Sequence, residues 1–507
     1  MQIKVDRDLK VPVYLQIRNQ IASMILDGTL RAGQPLPPER TLAQSLGINR
    51  STVVNAYSEL KADGLVDSRV GKGTVVLSHL TGEQDKEKYS DPPAWSQFLS
   101  HTAERSNESL LRDILELANR RDIISFAAGI SGMETDPVEA LRGIEEEIVS
   151  PACRFALNHT PAEGMPCLRE SISELMCARG VEAGPEEILV LSGSQQGIDI
   201  AARAFLDPGD VVFVEEPTFF SALQIFRAAG ARIIGIPVDA RGMRVDLLEQ
   251  ALTRYRPKFI FTVPTFQNPS GTTMDLERRK RLLELAYRRN TFILEDDPYS
   301  DLRFEGSRVP LLKELDKNGY VIYLSSFSKL LFPGVRIGWI NAPKPMVVQF
   351  TKVKQMTDLH ADSLSQWIIH RYLRSGGLDA HLSRIIAEYR IKRDIMIDEL
   401  ITDPVREMEW NKPQGGFYLW CRLPDDIPYA TLMVKAAERG VAYVSGTAFF
   451  QGGKGGNYMR LNFTYPSREE IREGIRRLKA AIRETLQAGE RNRTQRERKF
   501  GEFEVLR

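Results

Sequence analysis

From Val11 to Leu26 the apolar residues Val13, Ile17, Ile21, Met24 and Ile25 recur at the spacing of a helix with one buried face. Asp27-Gly28 ends it, and the Gly- and Pro-rich stretch from Arg31 to Pro38 reads as a turn. Glu39–Leu46 is predicted as a short second helix carrying Leu42 and Leu46, followed by a tight turn at Gly47-Ile48-Asn49. Arg50–Asp63 is a third helix with Val53, Ala56, Tyr57 and Leu60 inside. Two short strands joined at a Gly-rich tip follow, between Ser68 and Val76. Beyond residue 122 the pattern changes. Near-continuous apolar runs at Ile188–Leu191, Val211–Val214, Phe259–Val263, Phe292–Leu294 and Val321–Leu324 alternate with helical periodicity. Runs of this kind are strands buried on both faces, which predicts an α/β domain with a mainly parallel sheet.

These patterns divide the chain into residues 1–78, a polar linker at 79–121, a large body at 122–486 and a charged tail at 487–507. Trp95, Phe98 and Leu99 predict that part of the linker docks, and Leu110–Leu117 reads as a short helix. At 507 residues the chain exceeds one ordinary core, so several domains are expected. A content of 42% hydrophobic and 27% charged residues fits a folded, soluble protein. No apolar run reaches the roughly 18 residues of a membrane span, and the charged N-terminus is not a signal peptide, so a cytoplasmic location is expected. Cys153, Cys167, Cys177 and Cys421 form no CxxC pair and the six histidines no HxxxH pair, so neither disulfides nor a metal site is expected.

Net charge, +1 for the whole chain, does not announce a nucleic-acid partner. Residues 1–78 carry ten Lys and Arg against seven Asp and Glu, a balance of +3. Placement says more. Helix, turn, helix and β-wing form a DNA-docking geometry, and the third helix opens on Asn49, Arg50, Ser51 and Thr52, which can reach base edges and phosphates. From about Val11 to Val76 the segment resembles the GntR family of winged-helix regulators, through PLPPERTLAQSLGINRSTVVNAYSELKADGLVDSRVGKGTVV. That resemblance implies double-stranded DNA contacts from Arg40, Asn49, Arg50, Ser51, Thr52 and the wing residues Gly71 and Lys72. The tail cations Arg491, Arg493, Arg496, Arg498 and Lys499 read as a solvated end.

In the body, polar clusters fall just after the predicted strands, where ligands of parallel sheets sit. Ser192-Gly-Ser-Gln-Gln-Gly197 opens a helix whose N–H groups, with the Ser194 hydroxyl, make a phosphate cradle. Phe219 can stack on a flat ring, and the Asn268 amide can donate to a phenolate oxygen. Asp296 can pair with a protonated ring nitrogen, and Lys329 can form a Schiff base beside Ser326, Ser328 and Arg336.

Together these clusters resemble the fold-type I pyridoxal phosphate enzymes of the aspartate aminotransferase class, over roughly 122–486. The resemblance implies a mainly parallel sheet and a smaller α+β subdomain, with pyridoxal 5'-phosphate as cofactor. Lys329 would be its aldimine lysine and Asp296 the partner of its ring nitrogen. Asn268 and Tyr299 would sit at its ring oxygen and Phe219 on its face. Ser194, Gln195, Ser326, Ser328 and Arg336 would hold its phosphate. Met459-Arg460-Leu-Asn-Phe resembles the family's carboxylate-binding segment, so Arg460 would grip an amino acid's carboxylate. The resemblance breaks at His159, which stands where the family usually has a tyrosine reaching the neighbouring subunit's phosphate site.

Head and body together resemble the MocR-type regulators. This implies a homodimer on an operator, sensing an amino acid, an amine or pyridoxal phosphate itself through aldimine exchange at Lys329. Two other readings stay open: an aminotransferase with an appended DNA-binding head, and a DNA-binding protein whose body only dimerises.

Overall fold

The computed structural model describes residues 3–6, 11–69, 73–77, 98–100, 102–103, 120, 122–132, 137, 141, 143–144, 157–425 and 427–504, with side chains except at 69 and 490–504. It forms two compact units, residues 1–98 and 99–507. The first holds three helices, Val13–Leu26, Glu39–Leu46 and Arg50–Ala62, and an antiparallel hairpin of Val66–Arg69 with Gly73–Val76. Its core is built from the apolar helix faces: Ile17, Ile21, Val53, Ala56 and Leu60 are fully buried. The hairpin's first strand starts at Val66, ahead of the expected Ser68, because Val66 is buried opposite Val76. Gly47 closes the second helix at φ +61°, a left-handed conformation that glycine adopts without Cβ strain. The wing tip with Gly71 and Lys72, the linker's Trp95 and the helix expected at 110–117 lie outside the described residues. Phe98 and Leu99 are exposed. An apolar side chain in a polar stretch does not by itself name a partner surface.

The second unit is organised by an eight-stranded sheet in the order Ile188–Leu191, Gly338–Asn341, Val321–Ser326, Phe292–Asp296, Phe259–Thr262, Val211–Glu216, Arg232–Asp239 and Gly242–Met243. The five strands from Val321–Ser326 to Arg232–Asp239 are parallel to one another, and Gly242–Met243 pairs antiparallel with the last of them. Gly338–Asn341 is antiparallel to both strands beside it, so Ile188–Leu191 points the same way as the five. Successive residues serve opposite faces. Phe259 and Phe261 join one apolar cluster while Ile260 joins another, and Phe213 is likewise separated from Val212 and Val214. That is why these strands read as unbroken apolar runs rather than alternating ones.

Three strands run further than their apolar stretches. Pairing of Leu324 with Asp296 and of Ser326 with Gly338 keeps those polar residues in the ladder. The chemistry of Asp296 and Ser326 therefore sits on strand ends rather than in loops. A smaller α+β part contains an antiparallel sheet of Glu409–Trp410, Tyr418–Arg422, Tyr458–Asn462 and Val444–Ser445. Beside it Ile124–Ser125 pairs in parallel with Val441–Ala442. The long helices Gly377–Ile401 and Arg468–Glu504 pack on each other there. Among the described residues no helix is long and apolar enough to cross a membrane.

Candidate functional site

The aligned strand ends open onto a cavity with about 1000 Å³ of atom-free space, continuous with solvent. All eleven residues expected to form a pocket line it: Ser194, Gln195, Phe219, Asn268, Asp296, Tyr299, Ser326, Ser328, Lys329, Arg336 and Arg460. Ladder register explains part of this. Gly338 pairs with both Leu191 and Ser326, which places the turn before Ser194 beside the turn before Lys329.

One end of the cavity is a cup of donors. Ser194 and Gln195 are the first two residues of the helix Ser194–Phe205, where backbone N–H groups have no intrahelical acceptor. Ser328 N–H donates to Ser326 Oγ at 3.1 Å, and the two hydroxyls are 3.0 Å apart. Arg336, at φ +50°, donates to Ser328 Oγ at 3.3 Å and to the Ser192 carbonyl at 3.0 Å. Two glycines make the cup possible. A Cβ on Gly193 would lie 2.7 Å from the Arg336 guanidinium, and one on Gly338 only 2.8 Å from the Ser194 nitrogen. Backbone and cation donors converging at a helix start suit a phosphate.

Lys329 stands on the short helix Phe327–Leu330, capped by Ser326. Its Nζ donates to the carbonyl of Gly129. Burial, together with the positive charges of Arg460 and Arg336, pushes its ammonium down to about 8, against the pull of Asp296. Asp296 is driven the other way. Burial and the neighbouring Asp297 raise its carboxyl to about 7, while Lys329 opposes the rise. Asp296 Oδ1 is buried without a hydrogen-bond partner among the described residues. A buried orphan carboxylate oxygen on a cavity wall is costly unless a donor reaches it. A protonated ring nitrogen is such a donor, so the residues present fit pyridoxal phosphate.

At the opposite wall Arg460, only 2% exposed, donates to Asn268 Oδ1 at 3.0 Å and to the Ala127 carbonyl at 2.9 Å. With Asn268 Oδ1 taken, the amide N–H₂ is the half left to face a ring oxygen. Arg460 Nε has no partner among the described residues. Tyr299 donates to Tyr418 Oη at 3.3 Å, and burial with that neighbour holds its phenol well above the usual range.

Sequence reasoning missed Tyr418 and Gly129. Tyr418 lines the cavity and lies under the Arg460 guanidinium, 4.2 Å from ring centroid to carbon. Its strand pairs with the strand of Arg460, but nothing in its local sequence distinguishes it from a core aromatic. Gly129 contributes only a carbonyl, which no side-chain motif reports. His159 does not line this cavity; its Nδ1 lies 2.9 Å from Nε2 of His360.

In the first unit Arg40, Asn49, Arg50 and Ser51 are exposed and Thr52 half-buried, at or beside the starts of the second and third helices. Arg50 bonds Glu39 at 3.0 Å, joining those two helices.

Residues 13–76 match the family of bacterial regulatory proteins named gntR, and residues 121–478 match aminotransferase class I and II. An aromatic-amino-acid aminotransferase of Thermococcus litoralis is 41% identical over 79% of this chain and 98% of its own. The HTH-type transcriptional regulator YdfD of Bacillus subtilis, itself uncharacterised, is 30% identical over 94% of this chain and 97% of its own. The probable rhizopine catabolism regulatory protein MocR of Rhizobium meliloti is 32% identical over 77% and 78%. The crystal structure of an α-aminoadipate aminotransferase from Thermus thermophilus, complexed with N-(5'-phosphopyridoxyl)-L-leucine, superposes with a TM-score of 0.74. It is 35% identical and covers 78% of this chain and all of its own. The chain therefore belongs to the aminotransferase class I and II family, with pyridoxal phosphate as its cofactor, and, through its GntR-type head, to the MocR-type regulators.

Proposed function

We propose that this protein is a pyridoxal phosphate-dependent transcriptional regulator of the cytoplasm, working as a homodimer on an operator and sensing an amino acid, an amine or the cofactor itself. One observation carries the reading. A chain that begins with a DNA-binding head keeps Lys329, Asp296 and Arg460 around one cavity. When bound, pyridoxal phosphate supplies an electrophilic carbon that takes a primary amine and a ring that withdraws electrons. Lys329 is the resident amine. Its depressed pKa leaves a useful neutral fraction near pH 7, so it can attach and be displaced by an incoming amine. Asp296 holds the ring-nitrogen end, Asn268 and Tyr299 the ring oxygen, Phe219 a ring face, and Ser194, Gln195, Ser326, Ser328 and Arg336 the phosphate. The Arg460 fork orients a carboxylate. An effector alters DNA affinity only if it binds two conformations of the body unequally, and closure of the smaller α+β part over the cavity is the conformational variable proposed here. Asn49, Arg50, Ser51, Thr52 and Arg40, with Gly71 and Lys72 at the wing, are proposed to contact DNA.

The test is an absorbance titration of the cofactor-loaded protein with a panel of amino acids, paired with a gel shift on the DNA upstream of its gene. A spectral shift with one amino acid together with altered DNA binding is expected, and Lys329→Ala is expected to lose both. A DNA response that survives in Lys329→Ala would overturn the mechanism. If no amino acid acts but added cofactor alone shifts the DNA, the cofactor is the signal. The second reading, an aminotransferase with an appended head, is favoured by the 41% identity to a named aminotransferase, and sustained turnover with a keto acid would select it.

A further inference from the structure

A second, smaller cavity opens in the body, with about 300 Å³ of atom-free space. Its wall includes Arg179, Arg303, Arg308, Asp301, Thr265 and Ser300, and two further carboxylates act on the cations from behind, Glu314 on Arg308 and Asp297 on Arg179. The three cations are not equally satisfied. Arg308 is paired with Glu314 at 2.6 Å and also donates to the Arg179 carbonyl. Arg179, 6% exposed, pairs with Asp301 and donates to Tyr323 Oη at 2.9 Å, yet its buried Nε has no partner among the described residues.

Arg303 is the least compensated. It is half-buried and makes only long hydrogen bonds, 3.4 Å to the Glu305 carbonyl and 3.5 Å to Gln414 Oε1. Its guanidinium carbon lies 4.6 Å from the centroid of the Phe266 ring. Among the described residues it has no carboxylate partner. Burial lowers its pKa; that of Arg279 is lowered chiefly by its own burial, with Glu295 and Asp297 opposing and Arg303 adding to the fall. A cation held partly out of water beside another cation is costly unless an anion joins it. A hydroxyl donor is also present: Thr265 Oγ1 accepts from Arg279 at 2.8 Å, which leaves its own proton free.

We propose that this cavity is a second ligand site, for a phosphate group, in which Arg303 and the Thr265 hydroxyl donate to its oxygens beside the Arg179 and Arg308 cations. The chemistry is that of charge-assisted guanidinium bonds to a tetrahedral oxyanion. The cavity has room for only a few water-sized groups, which suits inorganic phosphate or the phosphate end of a small ester and excludes a whole nucleotide.

Calorimetric titration of the cofactor-loaded full chain tests this, because the cofactor then fills the other phosphate cup. Sodium phosphate and glycerol 3-phosphate are the probes, with sodium chloride as the ionic control. One saturable site per chain is expected, and Arg303→Gln is expected to weaken it about tenfold or more. The variant's cofactor absorbance should match the wild type and its thermal midpoint should be equal or higher, since Arg303 touches neither the cofactor cavity nor an ion-pair partner and its uncompensated charge is removed. Tighter binding of the ester would identify the phosphate as part of a larger metabolite, and tighter binding of inorganic phosphate would identify the free ion. No saturable binding to the wild type, or equal affinity in Arg303→Gln, would overturn the proposal.

Discussion

Asp296→Asn is expected to make the cofactor-free protein more stable at pH 8 while weakening its hold on the cofactor. In the folded chain the Asp296 carboxyl is raised from 3.8 to about 7, chiefly by burial. A raised folded pKa means that the native state keeps a proton that the unfolded chain releases. The resulting stability is fully present below pH 3.8, erodes as the unfolded carboxyl ionises, and is gone above about 7. At roughly 1.4 kcal/mol per pH unit this amounts to about 4 kcal/mol as an upper bound. A buried amide without a full set of partners has its own cost, so a net gain of about 1–3 kcal/mol at pH 8 is expected from the variant. Denaturant unfolding of both cofactor-free proteins at pH 5 and pH 8, followed by body fluorescence, measures it. The wild type should lose stability between the two pH values, and the variant should lose markedly less. With cofactor, the order should reverse, because an amide cannot neutralise a protonated ring nitrogen. Equal pH dependence in the two cofactor-free proteins would refute the claim that Asp296 is a buried, uncompensated acid awaiting a donor.

Lys329, depressed to about 8, should attach added cofactor at a rate that climbs with pH and levels off near that value, read from the growth of visible absorbance in cofactor-free protein. Arg460→Lys keeps the charge but loses the fork, so affinity for amino acids should fall about tenfold or more while affinity for the matching decarboxylated amines changes little, by spectral titration. Gly338→Ala should lose cofactor binding and about 1–3 kcal/mol of stability, since the added Cβ meets the backbone of Ser325 and Ser194 at 2.7 and 2.8 Å; absorbance and denaturant midpoint check this. Arg50→Ala removes an exposed ion pair with Glu39, so stability should change by no more than about 0.5 kcal/mol. Its DNA affinity should fall, and the slope of log affinity against log salt should shrink by about one if Arg50 meets a phosphate.

Much of this architecture is legible in the chain itself, because the period of apolar residues is a local property. The faces of the head helices, the doubly buried strands and the turn at Gly47 all follow from residues a few positions apart. Most of the pocket residues were legible too, in polar clusters next to their own strands, while Tyr299 and Arg460 were reached through the family resemblance. Other features depend on residues far apart in the chain. Polar strand ends such as Asp296 and Ser326 stay in the ladder because of partners on neighbouring strands, Leu324 and Gly338. Tyr418 becomes a pocket wall because its strand lies beside that of Arg460, some forty residues later in the chain. The pKa values of Lys329 and Asp296 depend on burial and on charges delivered by other segments. The cationic cavity behind Arg179 and Arg303 joins positions more than a hundred residues apart. Residue identity determined which chemistry was on offer. Only the tertiary structure decided which groups are desolvated together, and desolvation sets the strength of every charge in the site.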